Sequence, residues 1–306
     1  MRRRYVTVDV FTDRPFGGNP LAVVLDAGGL STAQMQAVAS EFNYSETTFV
    51  LPPDDPAHTA KVRIFTPRTE VPFAGHPNVG TAFVLARQAQ DVSTLPERLV
   101  FEEAAGLVPV RLLREGDHIV GAELTAPERL SRRSQVTPAE AAACLSLVPS
   151  DIRTVGHPPQ VVSVGLPFLV VEIASRTALR RAKSDLSAHE DLLPLDGADC
   201  IYLYTKDGEA DGATVNLDAR MFSPLDGIPE DPATGSAAAA LSGLLAELGS
   251  ESDFDATYRI VQGVDMGRPS LLVARASKRR GVVDTIRVGG HCVGMMEGSF
   301  LLRGEA

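Results

Sequence analysis

The sequence predicts an α+β protein made of two similar lobes. Three observations lead to this prediction. Apolar and polar residues alternate over short segments, as in half-buried strands. Two alanine-rich segments have the spacing of apolar residues that is typical of helices. A similar stretch of sequence precedes each of these segments, so one domain-sized unit is written twice across the 306 residues.

The first half begins with a strand hairpin. Valines alternate with polar residues over 6–10, and an apolar run at 21–25 follows a turn rich in Gly and Pro. Ser31 and the glutamine three positions later have capping-box spacing, which predicts a helix that ends near Asn43. A buried strand at Glu46–Leu51 is predicted next.

The rest of this half contains the first copy of the repeated stretch. A strand at 62–65 leads into a loop at 66–80, which opens an alanine-rich helix. Strands within 99–113 and at 119–124 complete the half. The second half repeats this order with strands within 161–173, a helix near Ser187, strands at 200–204 and 214–222, an alanine-rich helix, and strands within 259–274 and 282–288.

The two halves align through the segments before the alanine-rich helices. Arg63–Pro67 matches Arg220–Pro224 at an offset of 157 positions. Further on, Pro77 falls on Pro232 at an offset of 155, and the glycine and alanine that follow agree as well. A period this long indicates duplication of a whole domain.

These matches predict the domain organisation. The first lobe spans 1–127, and residues from about 295 to 306 are expected to pack with it. A linker region follows at 128–157, where Thr137-Pro-Ala-Glu140 has the signature of a helix start. The second lobe spans 158–306.

Composition argues against several classes of partner. The formal net charge is −10, from 39 acidic and 29 basic residues, and nucleic-acid binding depends on clustered basic residues. The longest small and apolar stretch, 233–248, is shorter than the roughly 20 residues that a membrane helix needs. We therefore expect neither a nucleic-acid nor a membrane partner.

The cysteines predict a reducing environment. Cys144, Cys200 and Cys292 are far apart in sequence and form no CxxC pair, so neither a disulfide framework nor a cysteine-rich zinc site is indicated. No signal-peptide pattern follows Met1, and a cytoplasmic location is expected.

The two copies of the repeated stretch predict an anion site. Pro77 and Pro232 suit the first position of a helix, which would put His76 and Asp231 at the caps. The small residues that follow would let an anion approach the unpaired N–H groups of both helix ends. Each of these residues alone could be an ordinary cap; the pairing favours a site in a cleft between the lobes.

Glu46 is a candidate acid/base. It stands where a helix ends and a buried strand begins, and the corresponding place in the second copy carries Asp199. An exposed turn residue is the alternative interpretation. A glutamate facing a dry cleft would instead have the raised pKa of a general acid/base that works near neutrality.

Several motifs are similar to those of the phenazine-biosynthesis (PhzF-like) family. They are Asn43-x-Ser-Glu46-Thr-Thr-Phe-Val50, Arg63-Ile-Phe-Thr-Pro67, Glu70-x-Pro-Phe-Ala-Gly-His-Pro77, Arg220-Met-Phe-Ser-Pro224, Glu230-Asp-x-Ala-Thr-Gly-Ser-Ala237, Gln262-Gly263 and Met266-Gly-Arg-Pro-Ser270.

The resemblance implies a diaminopimelate epimerase-like fold, in which each of two duplicated domains wraps a curved, mostly antiparallel sheet around a central helix. It also implies a homodimer that works without metal or organic cofactor. By this resemblance Glu46 moves the proton and His76 and Asp231 assist. The residues expected to line the site or bind the substrate carboxylate are Ser45, Gly75, Gly235 and Ser236.

The characterised phenazine enzyme of this family isomerises trans-2,3-dihydro-3-hydroxyanthranilate. A proton shift on a small cyclic or conjugated carboxylic or amino acid is therefore the leading hypothesis. Related epimerases and racemases use two cysteines, one in each glycine motif, and this sequence has none there. A cofactor-independent racemase and a non-catalytic carboxylate-binding protein remain as alternatives.

Overall fold

A computed structural model describes residues 2–89, 91–206 and 214–302. The strands are β1 (Arg2–Val10), β2 (Asn19–Val24), β3 (Glu46–Leu51), β4 (Ala60–Phe65), β5 (Glu70–Val71), β6 (Arg98–Glu103), β7 (Gly106–Glu115), β8 (His118–Thr125), β9 (Ser131–Gln135), β10 (Gln160–Ser163), β11 (Pro167–Glu172), β12 (Ile201–Thr205), β13 (Thr214–Ser223), β14 (Ile228–Asp231), β15 (Phe254–Gln262), β16 (Ser270–Arg279) and β17 (Val282–Leu301). The α-helices are α1 (Thr32–Phe42), α2 (Gly75–Gln88), α3 (Pro138–Cys144), α4 (Arg176–Arg181), α5 (Leu186–Leu192) and α6 (Gly235–Leu248).

The chain divides into two compact units. The first contains the residues up to Leu124 and those from Gly289 onward, and the second contains Thr125–Val288. The end of β17 belongs to the first unit, where it runs antiparallel to β1 with Leu301 opposite Arg2. Of the segment 295–306, which was predicted to pack with the first lobe, residues 303–306 lie outside the described part.

The strands of the first unit form a closed ring. β1 pairs antiparallel with β2, β2 runs parallel to β3, and β3 pairs antiparallel with β4. β4 runs parallel to β6, and the antiparallel strands β7 and β8 follow. The ring closes through β17, which pairs with both β8 and β1. The short strand β5 adds to the edge of β4.

The second unit has the same order of strands and the same directions. β10 and β11 are antiparallel, β11 is parallel to β12, and β12 is antiparallel to β13. β13 is antiparallel to β14 and parallel to β15, which pairs antiparallel with β16. Strand β9, which was not predicted, pairs with β10. This common order is the arrangement that domain duplication predicts.

Helix α1 begins and ends at the predicted signals. The Ser31 hydroxyl accepts a hydrogen bond from the Gln34 N–H, and the Gln34 side chain accepts one from the Ser31 N–H. Asn43 follows the last turn with a φ of 52°, a left-handed conformation that asparagine tolerates better than most residues. The capping box and the C-terminal cap together set the length of the helix.

Helix α2 is the central helix of the first unit. Every residue from Gly75 to Val84 is buried, and the helix packs against β1, β2, β3 and β7. Gly80 permits this close packing, because a Cβ there would lie 2.6 Å from Leu21 and 2.8 Å from Val10. Gly80 therefore serves packing, and the prediction that the small residues after Pro77 open the helix start to an anion is wrong for this glycine.

The two prolines do not mark the starts of the central helices, because α2 begins before its proline and α6 begins after its own. Helix α2 begins at Gly75, so Pro77 is its third residue, whereas α6 begins at Gly235 and Pro232 lies before it. Both helices have 14 residues, and their starts are 160 positions apart (235 minus 75). Pairing Pro77 with Pro232 is therefore wrong. A proline is tolerated throughout the first helical turn, whose N–H groups have no partner within the helix, so its position does not define the helix start.

None of the helices in the described residues is long and apolar enough to cross a membrane.

Candidate active site

Glu46 is the first residue of β3, beside Leu21 of the parallel strand β2. The residues after it, Thr47 to Phe49, are completely buried, whereas the Glu46 side chain keeps 18% of its surface exposed. The strand thus holds the backbone rigidly while the carboxylate stays accessible at the end of the strand. This position suits a group that exchanges a proton with a bound molecule.

His76 lies beside Glu46. It is the second residue of α2, its side chain is 6% exposed, and its Nε2 atom lies 3.4 Å from Oε2 of Glu46. Burial lowers the pKa of His76 to about 3, because the charged imidazolium would lose its hydration. The imidazole is therefore neutral near pH 7, and it can donate a hydrogen bond from one nitrogen and accept at the other.

Asn19 connects His76 with Ser45. Its Nδ2 atom lies 3.4 Å from Nδ1 of His76, and the Ser45 hydroxyl donates to its Oδ1 atom at 3.3 Å. Asn19 is completely buried at the start of β2. Ser45 was predicted as a site residue, whereas Asn19 was not. Its position directly after a Gly-Gly pair, at the start of a strand, was the available signal.

The start of α2 has backbone N–H groups of the kind that bind anions. Gly75 is the first helical residue, and Ala74 precedes it in an extended conformation without a side-chain cap. The Asn78 amide donates to the Ala74 carbonyl at 3.0 Å. The first N–H groups of the helix carry the positive end of its dipole, which favours a carboxylate or a developing enolate. His76 lies inside the helix, so the prediction that it is the cap residue is wrong.

Asp231 is held in the second unit by a network of its own. It is the last residue of β14, and the Thr234 hydroxyl donates to its Oδ2 atom at 2.5 Å. Gln262 donates to the Asp231 carbonyl at 2.9 Å and accepts from the Thr234 N–H at 3.2 Å. Thr234 is the residue before α6, so the prediction of Asp231 as the cap is wrong as well.

Gly235 and Ser236 open helix α6, as Gly75 and His76 open α2. Gly235 is buried and Ser236 is half-buried. The structure therefore forms two groups of the predicted residues. Glu46, His76, Ser45 and Gly75 belong to the first unit, and Asp231, Gly235 and Ser236 belong to the second.

The counterpart of Glu46 in the second copy is Cys200. Thr47 pairs with Phe65, and Ile201 pairs with Phe222 at the matching place in β13, so Glu46 corresponds to the residue before Ile201. The prediction that Asp199 takes this position is wrong by one residue. The error arose because the strand register, which follows from pairing with a distant segment, is not visible in the sequence around Cys200.

Cys200 belongs to a small polar cluster. The thiol donates to Asp199 at 3.0 Å and lies 3.1 Å from the Ser223 hydroxyl, which donates to Asp226 at 2.6 Å. The ligand-type atoms of Asp199, Cys200 and Asp226 lie within 4.8 Å of one another. Hydrogen bonds within the cluster account for this proximity without an ion.

The three cysteines lack the ionised thiolate form that a cysteine base needs for proton transfer. Cys144, Cys200 and Cys292 are all buried. Burial raises the pKa of each, that of Cys144 to about 11 and those of the other two further. All three thiols are therefore protonated near pH 7, and they lie outside the starts of α2 and α6.

Comparison with known proteins shows the family. Residues 8–298 match the model of the phenazine biosynthesis-like protein family. An uncharacterised isomerase of Mesorhizobium japonicum is 38% identical, over 98% of this chain and 99% of its own length. The trans-2,3-dihydro-3-hydroxyanthranilate isomerase of Pseudomonas chlororaphis is 37% identical, over 97% of this chain and 99% of that enzyme.

Solved structures agree with the fold. A phenazine biosynthesis protein of the PhzF family from Bacillus anthracis superposes with a TM-score of 0.85 at 23% identity, covering 99% of this chain and all of the other. A predicted epimerase from Pseudomonas aeruginosa gives 0.78 at 34% identity, covering 98% of this chain and all of the other.

A hydroxyproline epimerase from Agrobacterium vitis gives a TM-score of 0.57 at 13% identity, covering 97% of this chain and 92% of that enzyme, which shows a shared fold alone. The predicted α+β fold of the diaminopimelate epimerase type is confirmed by these neighbours.

The class of protein follows from these observations. A duplicated α+β fold, a carboxylate beside a buried histidine at a helix start, and relatives named as isomerases define an isomerase. The chain belongs to the phenazine biosynthesis-like (PhzF-like) family.

Proposed function

We propose that this isomerase catalyses a cofactor-independent proton shift on a small cyclic or conjugated carboxylic or amino acid, with Glu46 as the general acid/base. The observation that carries the proposal is the 3.4 Å contact between the Glu46 carboxylate and the neutral His76 at the start of α2. The name of the P. chlororaphis relative, a trans-2,3-dihydro-3-hydroxyanthranilate isomerase, supports this substrate class.

The first chemical step is proton removal from carbon. The Glu46 carboxylate takes the proton, and the electron pair of the C–H bond moves into the conjugated system toward the substrate carboxylate. The developing negative charge needs stabilisation in a position fixed beforehand. The first N–H groups of α2, in the Gly75–His76 turn, supply fixed dipoles for this purpose.

The second step returns the proton. The Glu46 carboxyl now bears the proton and donates it to a different carbon, so the double bond moves and the net composition is unchanged. His76 remains neutral throughout, since burial holds its pKa near 3, and contributes hydrogen bonding rather than a proton. We propose an assisting role for Asp231, which the network of Thr234 and Gln262 keeps in one orientation.

The test compares two glutamates. Glu46→Gln preserves the size of the side chain and removes the basic oxygen, so turnover of a cyclic acid substrate should fall about 100-fold or more. Glu41→Gln makes the same chemical change at an exposed residue of α1 and should retain full turnover. Turnover of Glu46→Gln equal to that of Glu41→Gln would rule out the role of Glu46.

An epimerase is the second candidate, because the P. aeruginosa neighbour at 34% identity is described as a predicted epimerase. The two reactions differ in their products. A proton shift moves a double bond and changes ultraviolet absorption, whereas an epimerase inverts one carbon and leaves the bonds in place. Chiral chromatography together with the product spectrum separates them.

A further inference from the structure

We propose that Asn19 is a positioning residue that holds His76 in the tautomer with its proton on Nε2, directed at Glu46. This inference rests on the proposed function of the Glu46–His76 pair. It adds a residue for which no role was predicted, and it assigns the hydrogen-bonding direction of each group in the site.

The geometry forms a chain of four polar groups within the first unit. Ser45 donates to Asn19 Oδ1 at 3.3 Å, Asn19 Nδ2 lies 3.4 Å from His76 Nδ1, and His76 Nε2 lies 3.4 Å from Glu46 Oε2. Asn19 is completely buried and His76 is 6% exposed. Water therefore has little opportunity to replace the contact between Asn19 and His76.

The order of donors and acceptors follows from the number of protons. A neutral imidazole carries one N–H, at either Nδ1 or Nε2. If the proton were on Nδ1, the lone pair of Nε2 would face the Glu46 carboxylate, and two acceptors would oppose each other. With the proton on Nε2, His76 donates toward Glu46 and Nδ1 accepts from the Asn19 amide.

Asn19 stabilises this second arrangement in particular. Its Nδ2 atom is a donor in every state, so it favours an unprotonated Nδ1. The Ser45 hydroxyl supports the same amide orientation by donating to Oδ1. The contacts of Asn19 with Ser45 and His76 are at the long end of hydrogen-bond distance, and the pair of His76 Nε2 and Glu46 Oε2 at 3.4 Å does not meet hydrogen-bond geometry. Catalytic hydrogen bonds of unliganded active sites are commonly long or poorly aligned and tighten when substrate binds.

The consequence for the reaction concerns the ionised form of Glu46. An N–H directed at the carboxylate stabilises its charge and orients the oxygen that accepts the substrate proton. A histidine in the wrong tautomer removes this donor. In enzymes that depend on a specific tautomer, this change can lower turnover by as much as about 10⁴-fold.

The experiment reads the tautomer directly by nitrogen-15 NMR of the histidine rings, without substrate. The six histidines are assigned with the help of a His76→Gln sample. In the wild type we expect His76 Nε2 to resonate as a protonated nitrogen and Nδ1 as an unprotonated one. The opposite assignment in the wild type would overturn the proposal.

The decisive variant is Asn19→Asp, which is nearly isosteric but can only accept at this position when ionised. We expect the His76 proton to move to Nδ1 and turnover to fall at least about 10-fold. Ser45→Ala keeps the Asn19 amide and should keep the wild-type tautomer. An Asn19→Asp spectrum with the proton still on Nε2, in a sample with a wild-type circular dichroism spectrum, contradicts the proposal.

A third variant tests the proposal in case Asn19→Asp does not fold. If Asn19→Asp is unfolded, Asn19→Leu has a similar size and carries neither a donor nor an acceptor, so a share of the Nδ1–H tautomer is then expected. An unchanged pure Nε2–H tautomer in Asn19→Leu would contradict the proposal. Because the spectra need no substrate, failure of this inference is distinguishable from failure of Glu46 as the acid/base.

Discussion

Glu103→Gln is expected to be more stable than the wild type, by an amount that grows as the pH rises from 4.5 to 8. Glu103 ends strand β6, and neither of its carboxyl oxygens is exposed or has a hydrogen-bond partner among the described residues. Burial raises the pKa of Glu103 to about 8, although the neighbouring Asn78 side chain acts in the opposite direction. Burial dominates because a charged carboxylate would lose its hydration there.

The direction in which stability changes with pH follows from proton binding. The carboxyl of the unfolded chain titrates near 4.5, so between 4.5 and about 8 the native state holds one proton more than the unfolded state. The free energy of unfolding therefore falls by about 1.4 kcal/mol per pH unit over this range. The full shift sets an upper bound of about 5 kcal/mol for the cost at pH 8. Glutamine resembles the protonated acid and does not ionise, so it avoids this cost.

The assay is urea unfolding of the wild type and Glu103→Gln at several pH values from 4.5 to 8. We expect nearly equal stabilities at pH 4.5 and a growing advantage of the variant toward pH 8. A stability difference that is constant with pH would show that Glu103 is not held protonated by the fold.

The neighbouring Glu102 is the matched control, because its pKa is shifted in the opposite direction. The backbone N–H groups of Asp55 and Asp54, and then His58, lower the pKa of Glu102 to about 2. This stabilisation is present above 4.5 and is lost as the pH falls toward 2. Glu102→Gln should therefore be less stable than the wild type at pH 7, with a difference that decreases in acid.

Three further predictions concern stability. Gly80→Ala should cost about 1–3 kcal/mol, because the new methyl group meets Leu21, and thermal unfolding measures this loss. Arg220→Met should cost about 3–5 kcal/mol in urea unfolding, because it leaves Glu230 as a largely buried charge without its cation. In the wild type, Nε and Nη2 of Arg220 both donate to the Glu230 carboxylate. Ser31→Ala should cost about 1 kcal/mol through loss of the α1 cap, and the same change at Ser252, an exposed loop residue, should cost less than about 0.5 kcal/mol.

Local signals in the sequence predicted much of the fold. The strand Glu46–Leu51 has the predicted bounds, and α1 ends before Asn43 as expected. Helix α3 begins at Pro138 after the Thr137 cap, as predicted, and ends at Cys144, slightly before the expected end near Leu147. These features depend on residues within one or two turns of each other, which is why the sequence shows them.

Features that depend on distant segments were predicted less well. The starts of α2 and α6 were shifted because two prolines that resemble each other in sequence occupy different places relative to their helices. The match of Asp199 to Glu46 failed because pairing with β13 sets that register. Long strand β17 was predicted only in its first third, up to Val288, because its continuation pairs with β1 at the other end of the chain.

The residues of the candidate site also divide into those with a local signal in the sequence and those whose environment depends on distant segments. Glu46 was identified from its place at a strand start and from the family resemblance, and His76 lies beside it. Asn19 and the buried carboxyl of Glu103 gave no comparable signal, because their environment is created by chain folding rather than by their neighbours in sequence.

The most direct test of the account follows the proton itself. Wild-type protein and Glu46→Gln are incubated with a cyclic acid substrate in heavy water, and NMR locates deuterium in the product. We predict deuterium at the single carbon that gains a proton in the wild-type reaction, and none above the uncatalysed background with Glu46→Gln. Deuterium entering the same carbon at the wild-type rate in the variant would contradict the assignment of proton transfer to Glu46.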